Sequence, residues 1–209
     1  MPRSEPFERH ADRYDEWFET HPEAYRSEVE ALRRLLPRPG FGVEIGVGSG
    51  RFASPLGMRV GIDPAGEMLA HARDRGIDVV TGVAEALPFP EETFDTALIV
   101  TTICFVDDVF RTVSEARRVL RPDGSLVIGY IDKNSPIGRR YQEQKADNPF
   151  YREAVFVSTA ELVDELEAAG FTDFEFVQTI CHWPADIDDP EPIEEGYGEG
   201  SFVGIKAVR

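Results

Sequence analysis

Val43-Glu44-Ile45-Gly46-Val47-Gly48-Ser49-Gly50 opens the stretch that decides the fold, and Val60-Gly61-Ile62-Asp63 closes it. A short apolar run, Phe41 to Ile45, reads as a buried strand, and glycines at 46, 48 and 50 follow it directly. Lacking a Cβ, glycine lets the backbone turn sharply, take φ > 0 and lie against a ligand. A second apolar run, Met58 to Ile62, ends in Asp63. In a doubly wound parallel sheet these two strands end side by side. Asp63 is then expected beside the glycine loop, with its carboxylate toward ribose hydroxyls. The pattern asks for a nucleoside-containing ligand. The competing reading, a plain tight turn from strand to helix, is weakened by Asp63 standing where a ribose ligand is needed.

The glycine spacing is G-x-G-x-G, not the G-x-G-x-x-G of pyrophosphate-binding loops. The element resembles motif I and the following acidic motif of class I S-adenosylmethionine-dependent methyltransferases. The resemblance continues through Gly82-Val83-Ala84-Glu85-Ala86-Leu87-Pro88-Phe89-Pro90, then Phe94-Asp95, then Glu115 to Leu126, covering residues 40 to 131 in the family's order. Such a series is far more specific than any single motif. It is closest in character to the branch that includes quinone-biosynthesis enzymes. The resemblance implies S-adenosylmethionine as cofactor and S-adenosylhomocysteine as product. Carried over residue by residue, it places the cofactor against Glu44, Gly46, Gly48, Gly50, Asp63, Pro64, Met68, Ala84, Glu85 and Thr101. Where the family commonly has an acidic residue after the glycine of the adenine loop, this chain has Val83. Adenine recognition then falls to the backbone of Ala84, to Glu85 or to apolar contact with Met68.

Around this core the periodicity predicts an α/β, Rossmann-like doubly wound sheet, mostly parallel, ending in an antiparallel hairpin strand. One methyltransferase domain is expected over 1–209. It comprises an N-terminal helical cap (1–39), the cofactor-binding core (40–131), an irregular insert (132–157) and a C-terminal helix and hairpin (158–209). Residues 7 to 36 read as two helices, the second starting near His21-Pro22, with Tyr25, Val29, Leu32 and Leu36 as its stripe. Pro37 and Pro39-Gly40 stop it. Phe7, Tyr14, Trp17 and Phe18 form an aromatic group, which suits either core packing or a lid over the cofactor cleft. Further helices are expected at Arg51 to Leu56, after Pro64, after Asp107 or Asp108, and after the Ser158–Glu161 capping box, the last closed by Gly170. Remaining strands are read at Ile77 to Val80, Phe94 to Val100, Ser125 to Ile131, around Phe174 to Thr179 and at Phe202 to Val208, with Pro122-Asp123-Gly124 as a turn. The loop Cys181 to Gly200 leaves no room for a helical crossover. Topology alone sets His182, Trp183 and Tyr197 near the cleft.

The chain has 209 residues and a net charge of −17, which makes a nucleic-acid backbone a poor partner. The clusters Arg33, Arg34, Arg38 and Arg139, Arg140 read as solvated faces rather than a binding patch. No apolar run reaches the length of a membrane span, and the N-terminus Met-Pro-Arg-Ser-Glu-Pro has no apolar signal core. With two cysteines, Cys104 and Cys181, the expected home is a reducing cytoplasm. The partner expected is a small-molecule methyl acceptor, with no nucleic acid and no membrane; oligomeric state is open.

Methyl transfer from a sulfonium proceeds by positioning and desolvation without a mandatory base, so no catalytic motif is required. His182 is the best candidate base if one exists. Cys104 reads as a small buried side chain before a nucleophile. Arg139, Arg140 and Arg152 read as solvated before they read as partners of an anionic acceptor. The histidines show no ligand spacing, and the acidic loop Asp186, Asp188, Asp189, Glu191 reads as solvated, so no metal is expected. Two alternatives stand beside the methyltransferase. One is a non-catalytic protein that binds the cofactor or its product. The other, less favoured by the glycine spacing and the terminal hairpin, is an NAD-dependent oxidoreductase.

Overall fold

The computed structural model describes residues 4–37 and 40–209. Met1 to Arg3, and the Arg38–Pro39 part of the helix stop and basic cluster, lie outside the described residues.

The described residues build one sheet in the order β3-β2-β1-β4-β5-β8-β6-β7. At its centre β1 (Gly42–Ile45) runs parallel to β2 (Val60–Asp63) on one side and β4 (Phe94–Val100) on the other, with Ile45 beside Ile62 and Glu44 beside Leu98. From β1 the chain steps outward through β2 to β3 (Asp78–Thr81), then returns to β4 and continues to β5 (Leu120–Ile131). The order therefore reverses between β1 and β4, and a crevice opens past their carboxyl ends. β8 (Phe202–Val208) is antiparallel to both β5 and β6 (Thr172–Thr179) and lies between them. Two reversals restore direction, so β6 runs parallel to β1, as expected. A two-residue strand β7 (Glu194–Glu195) adds to the β6 edge.

Helices cover both faces. One face carries α3 (Pro22–Leu35), α4 (Ala53–Leu56) and α5 (Gly66–Asp74), whose Leu32, Leu35, Ala53, Leu69 and Ala72 share a core with Leu98, Val127 and Phe202. On the other face, α6 (Val109–Val119) and α8 (Thr159–Ala168) bury Val113, Ala116, Leu162 and Leu166 against Ile45, Ile99, Ile128 and Ile205. Asp108 caps α6 by accepting the Arg111 N–H at 2.9 Å, and Ser158 with Glu161 forms the expected capping box on α8. α3 is seated by a notch. Gly129 of β5 and Gly204 of β8 are directly paired, and a Cβ on Gly129 would come within 2.8 Å of Leu32 Cδ2. The absent side chains let Leu32 sink onto the sheet, which fixes where the preceding turn of α3 lies.

Four boundaries depart from the sequence reading. The N-terminal region holds three helices, because α1 (Glu5–Arg9) and α2 (Ala11–Thr20) break at His10, whose φ of −132° and ψ of 35° leave the helical region. The insert is not irregular throughout. It contains α7 (Pro136–Gln144), started by Ser135 Oγ accepting the Gly138 N–H at 3.0 Å, with Pro136 in the first turn. Only Ile137 and Gly138 of α7 are buried, and its apolar face is the single i, i+4 pair Ile137 and Tyr141, too short a stripe to read as a helix. Pro122-Asp123-Gly124 lies inside β5 as an irregularity of its pairing with β4, with Asp123 at φ 63°. The helix after the glycine loop begins at Ala53, since Gly50 N–H closes a tight turn onto Val47 O at 2.8 Å. Among the described residues no helix is long and apolar enough to cross a membrane.

Candidate active site

The carboxyl ends of β1, β2, β4, β5 and β6 meet α1, α2, α3 and α7 around a cavity of about 410 Å³, well within the size range of small-molecule sites. Its floor is the glycine loop. The N–H groups of Gly46 and Val47 both donate to Ile62 O, at 2.8 and 3.0 Å, which ties the loop to β2. Gly46 (φ 74°) is pressed on Thr102, where a Cβ would fall 2.3 Å from the side chain. Gly48 (φ 50°) is open on its side-chain face, where a Cβ would meet nothing nearer than Tyr14 Cε1, at 4.0 Å. Gly50 differs from its expected role. It packs against Ala72 behind the loop and does not line the cavity.

Asp63 ends β2 at the cavity wall. Its Oδ2 accepts the Gly48 N–H at 3.0 Å and its Oδ1 the Ala65 N–H at 2.9 Å, leaving each oxygen spare lone-pair capacity. Burial raises its pKa to about 6 against the opposing pull of those two bonds. Glu44 also reaches the cavity from β1, fully buried, with no partner for Oε2 among the described residues. Burial pushes its carboxyl well above the usual range, opposed by a bond from the Ala53 backbone. Pro64, Met68, Ala84, Glu85 and Thr101 line the cavity, together with Val83 and Thr102. Glu85 Oε1 is engaged by the Asp107 N–H at 2.7 Å, so this carboxylate also braces the approach to α6. Thr101 is held at φ 49°, a costly conformation for a β-branched residue, and is hydrogen-bonded by the Tyr14 side chain.

Three segments distant in sequence form the other walls. Phe7 of α1 packs edge-on against Tyr14 at 5.5 Å and Phe105 at 4.9 Å, and Tyr14 meets Phe150 of the insert at 5.7 Å. Tyr141 of α7 stacks on Tyr151 at 5.0 Å and meets Trp183, from the loop after β6, at 5.4 Å. The aromatic group read from the N-terminus thus lines the cavity, and it also packs on the core, where Phe18 is buried with Tyr14 and Trp17 against it.

Asp15 of α2 clamps this wall to the floor. Its carboxylate takes Arg51 Nε at 2.9 Å and Nη2 at 2.6 Å, and Arg75 Nη2 at 2.7 Å; Arg75 in turn donates to Ser49 O at 2.9 Å. These arginines hold the Asp15 carboxyl well below the usual range despite the opposing, and largest, effect of burial. The sequence reading missed this clamp, because its members lie 36 and 60 residues apart. Asp15→Ala is expected to release α2, seen as faster amide deuterium exchange over residues 11–20 with exchange in β4 and β5 unchanged.

Other expected residues lie elsewhere. His182 is exposed, pairs with Glu191 and does not line the cavity. Glu191 is itself largely buried and accepts from the Cys181 and His182 nitrogens, so the acidic loop is not uniformly solvated. Arg139, Arg140 and Arg152 are exposed and outside the cavity, Arg140 lying 3.7 Å over the Trp183 ring. Tyr197 is exposed against Phe176 on the sheet edge. Cys104 is buried, as its apolar reading anticipates. A residue absent from the sequence reading does line the cavity: Glu28, on the buried face of α3 between Tyr25 and Leu32. The one available signal was its position, a carboxylate within an apolar stripe.

Known proteins resemble this chain in sequence and in fold. The family model described as a methyltransferase domain matches residues 43–128. A Thermotoga maritima crystal structure, described as an S-adenosylmethionine-dependent methyltransferase and "possible histamine N-methyltransferase", is 48% identical with a TM-score of 0.96, over 98% of this chain and 99% of that one. An uncharacterized protein of Methanocaldococcus jannaschii is 42% identical over 203 residues, 97% of this chain and 98% of its own length. The malonyl-[acyl-carrier protein] O-methyltransferase of Methylococcus capsulatus is 31% identical over 72% of this chain and 58% of its own. These likenesses displace the nicotinamide-oxidoreductase alternative. With its sheet order, its glycine loop and a near-complete match to a solved relative, the chain belongs to the class I S-adenosylmethionine-dependent methyltransferases.

Proposed function

We propose that the protein methylates a small molecule enclosed in the aromatic-walled cavity. The observation that carries this reading is the enclosure itself: α1 and α2, the insert and the loop after β6 all contribute side chains to one cavity continuous with the glycine loop and Asp63. In this assignment Asp63 holds the ribose, Gly46 and Gly48 border the methionine portion, and Glu44 anchors the loop. Pro64, Met68, Val83, Ala84 and Glu85 border the adenine, with Thr101 at the junction between cofactor and acceptor. Gly50 shapes the turn from behind.

The residues present suit S-adenosylmethionine. Gly48 offers open space where any Cβ would intrude, Asp63 keeps acceptor capacity for a diol, and Glu44 Oε2 is buried without a partner among the described residues. When bound, this cofactor supplies a methyl group made electrophilic by its sulfonium. The protein's share is positioning and dryness: aromatic walls exclude water and hold the acceptor in line. Walls drawn from three segments suit a small acceptor better than a folded macromolecule, and a net charge of −17 disfavours a nucleic acid. The Thermotoga relative's description, which names a small amine, supports the same size class.

S-adenosylhomocysteine is expected to raise the melting temperature, as a ligand selective for the folded state must, and NAD to leave it unchanged. Asp63→Ala is expected to weaken S-adenosylhomocysteine by about 1–3 kcal/mol in calorimetry, the scale of hydrogen bonds to a charged group. Unchanged affinity would remove Asp63 from the site.

A further inference from the structure

Glu28 is 6% exposed and lines the cavity, yet among the described residues no side-chain or backbone group hydrogen-bonds or ion-pairs with its carboxylate. A buried carboxylate without a partner is costly, and a fold retains one where something else completes it. Its place is set by the notch that seats Leu32, one turn further along α3. α3 packs on β5, β8 and β6, whereas Asp63 ends β2, with β1 and β4 between the two regions. The two carboxylates therefore enter one cavity from different elements, and Tyr14 feels the charge of both. Tyr14, Tyr25, Tyr141 and Tyr151 lie near enough to feel the charge of Glu28, and Tyr14, Tyr141 and Tyr151 share the cavity lining with it.

The geometry points to a small amine as the methyl acceptor, its nitrogen held by the Glu28 carboxylate between aromatic walls. This deepens the reading above and rests on it. A mostly buried carboxylate among aromatic rings is completed by a cation, which supplies both counter-charge and hydrogen-bond donors. A neutral hydroxyl supplies a donor but no charge, and an anion is repelled. Burial, the sole cause acting on Glu28, raises its pKa to about 8, close enough to that of an amine for proton exchange between them. The acceptor ammonium gives its proton to Glu28 and becomes an amine with a free lone pair. That pair forms the new N–C bond as the S–C bond breaks and its electrons stay on sulfur. The product leaves as a methylated ammonium, and Glu28 returns its proton to solvent.

Binding to the S-adenosylhomocysteine complex tests this without turnover. The probes are 2-phenylethylamine, 2-phenylethanol and 3-phenylpropionate, similar in shape but cationic, neutral and anionic, with a panel of primary amines from ethylamine to tryptamine. Calorimetry of the wild type is expected to show at least one amine of the panel binding about tenfold or more tighter than the alcohol and the acid. That amine should also release protons, read as a heat that varies with buffer ionisation enthalpy. Glu28→Gln is expected to lose the preference and the proton release while keeping S-adenosylhomocysteine affinity within about twofold; Glu28→Asp should retain part of both. Equal binding of alcohol and amine, no binding across the amine panel, or a preference that survives in Glu28→Gln overturns the proposal. So does lost S-adenosylhomocysteine affinity in Glu28→Gln, which would assign the carboxylate to the cofactor. Failure of the wild type to bind S-adenosylhomocysteine at all is a separate result, which refutes the preceding reading and the amine site with it.

Discussion

Gly48→Val is expected to weaken S-adenosylhomocysteine binding by about a hundredfold or more, a loss beyond 2.7 kcal/mol, while the protein stays folded. A Cβ at Gly48 meets nothing closer than Tyr14 Cε1 at 4.0 Å, so the fold has room for it. That room is the cavity, and a branched side chain there occupies space the ligand needs. The left-handed φ of 50° costs a valine about 1–2 kcal/mol, tolerable against a domain stability of about 5–15 kcal/mol. Gly46→Val separates the two effects. Its Cβ would lie 2.3 Å from the Thr102 side chain, so this variant should lose stability as well as binding. Circular dichroism and calorimetry on both variants check the pair. Normal binding by Gly48→Val would reduce the loop to a turn.

A second large effect concerns pH. The ligand-free protein should be most stable near about pH 5 and lose stability toward pH 8. Glu28, with a pKa raised to about 8, Asp63, raised to about 6, and Glu44, raised well above the ordinary range, all bind protons more readily folded than unfolded. Each therefore favours folding fully below its unfolded pKa, and the advantage disappears as pH rises through the folded value. Asp15, held low by Arg51 and Arg75, and Glu161, lowered to about 2 chiefly by Lys133, act in the opposite sense. Their stabilisation is present above the ordinary carboxylate range and is lost as pH falls below it. The titratable groups that feel Glu28 are Tyr14, Tyr25, Tyr141 and Tyr151, all raised by burial and so neutral throughout this window. At roughly 1.4 kcal/mol per pKa unit, Glu28→Gln should add about 2–4 kcal/mol at pH 8, or about 5–15 °C in Tm, and nothing near pH 4. A wild-type stability that climbs from pH 5 to 8, or a Glu28→Gln variant no more stable at pH 8, would mean the carboxylate is hydrated or paired. Gain of stability with loss of amine preference is the trade expected where a buried group serves a site.

The sheet was legible because its signals are local. Apolar runs bounded by glycines placed β1 and β2, and the loop before β8, which offers no helical crossover, required an antiparallel return. The insert hid α7, because its apolar stripe is one turn long, Ile137 and Tyr141, in an otherwise polar segment. Glycine function was only half legible. Sequence made Gly46, Gly48 and Gly50 equivalent, whereas one presses on Thr102, one faces open space and one packs on Ala72. The loop after β6 was brought near the cleft by topology, but topology does not fix rotation about the chain, so Trp183 faces inward while His182 faces solvent. Glu28 and the Asp15 clamp were invisible for a different reason. Each is defined by what surrounds it across the tertiary structure, and an isolated carboxylate in sequence carries no mark of being buried.

The position of β8 between β5 and β6 bears on how the chain is made. A ribosome delivers β6 before β8, yet among the described residues β6 has no sheet neighbour except β8 and the two-residue β7. Until residues 202–208 emerge, the nascent polypeptide presents two unmatched strand edges, on β5 and on β6, with Phe174, Phe176 and Val177 in the latter. Exposed edges of this kind invite pairing between neighbouring chains on a polysome. Ribosome-bound chains arrested ahead of Phe202 should therefore recruit holdase chaperones, and chains whose β8 has cleared the ribosome should release them.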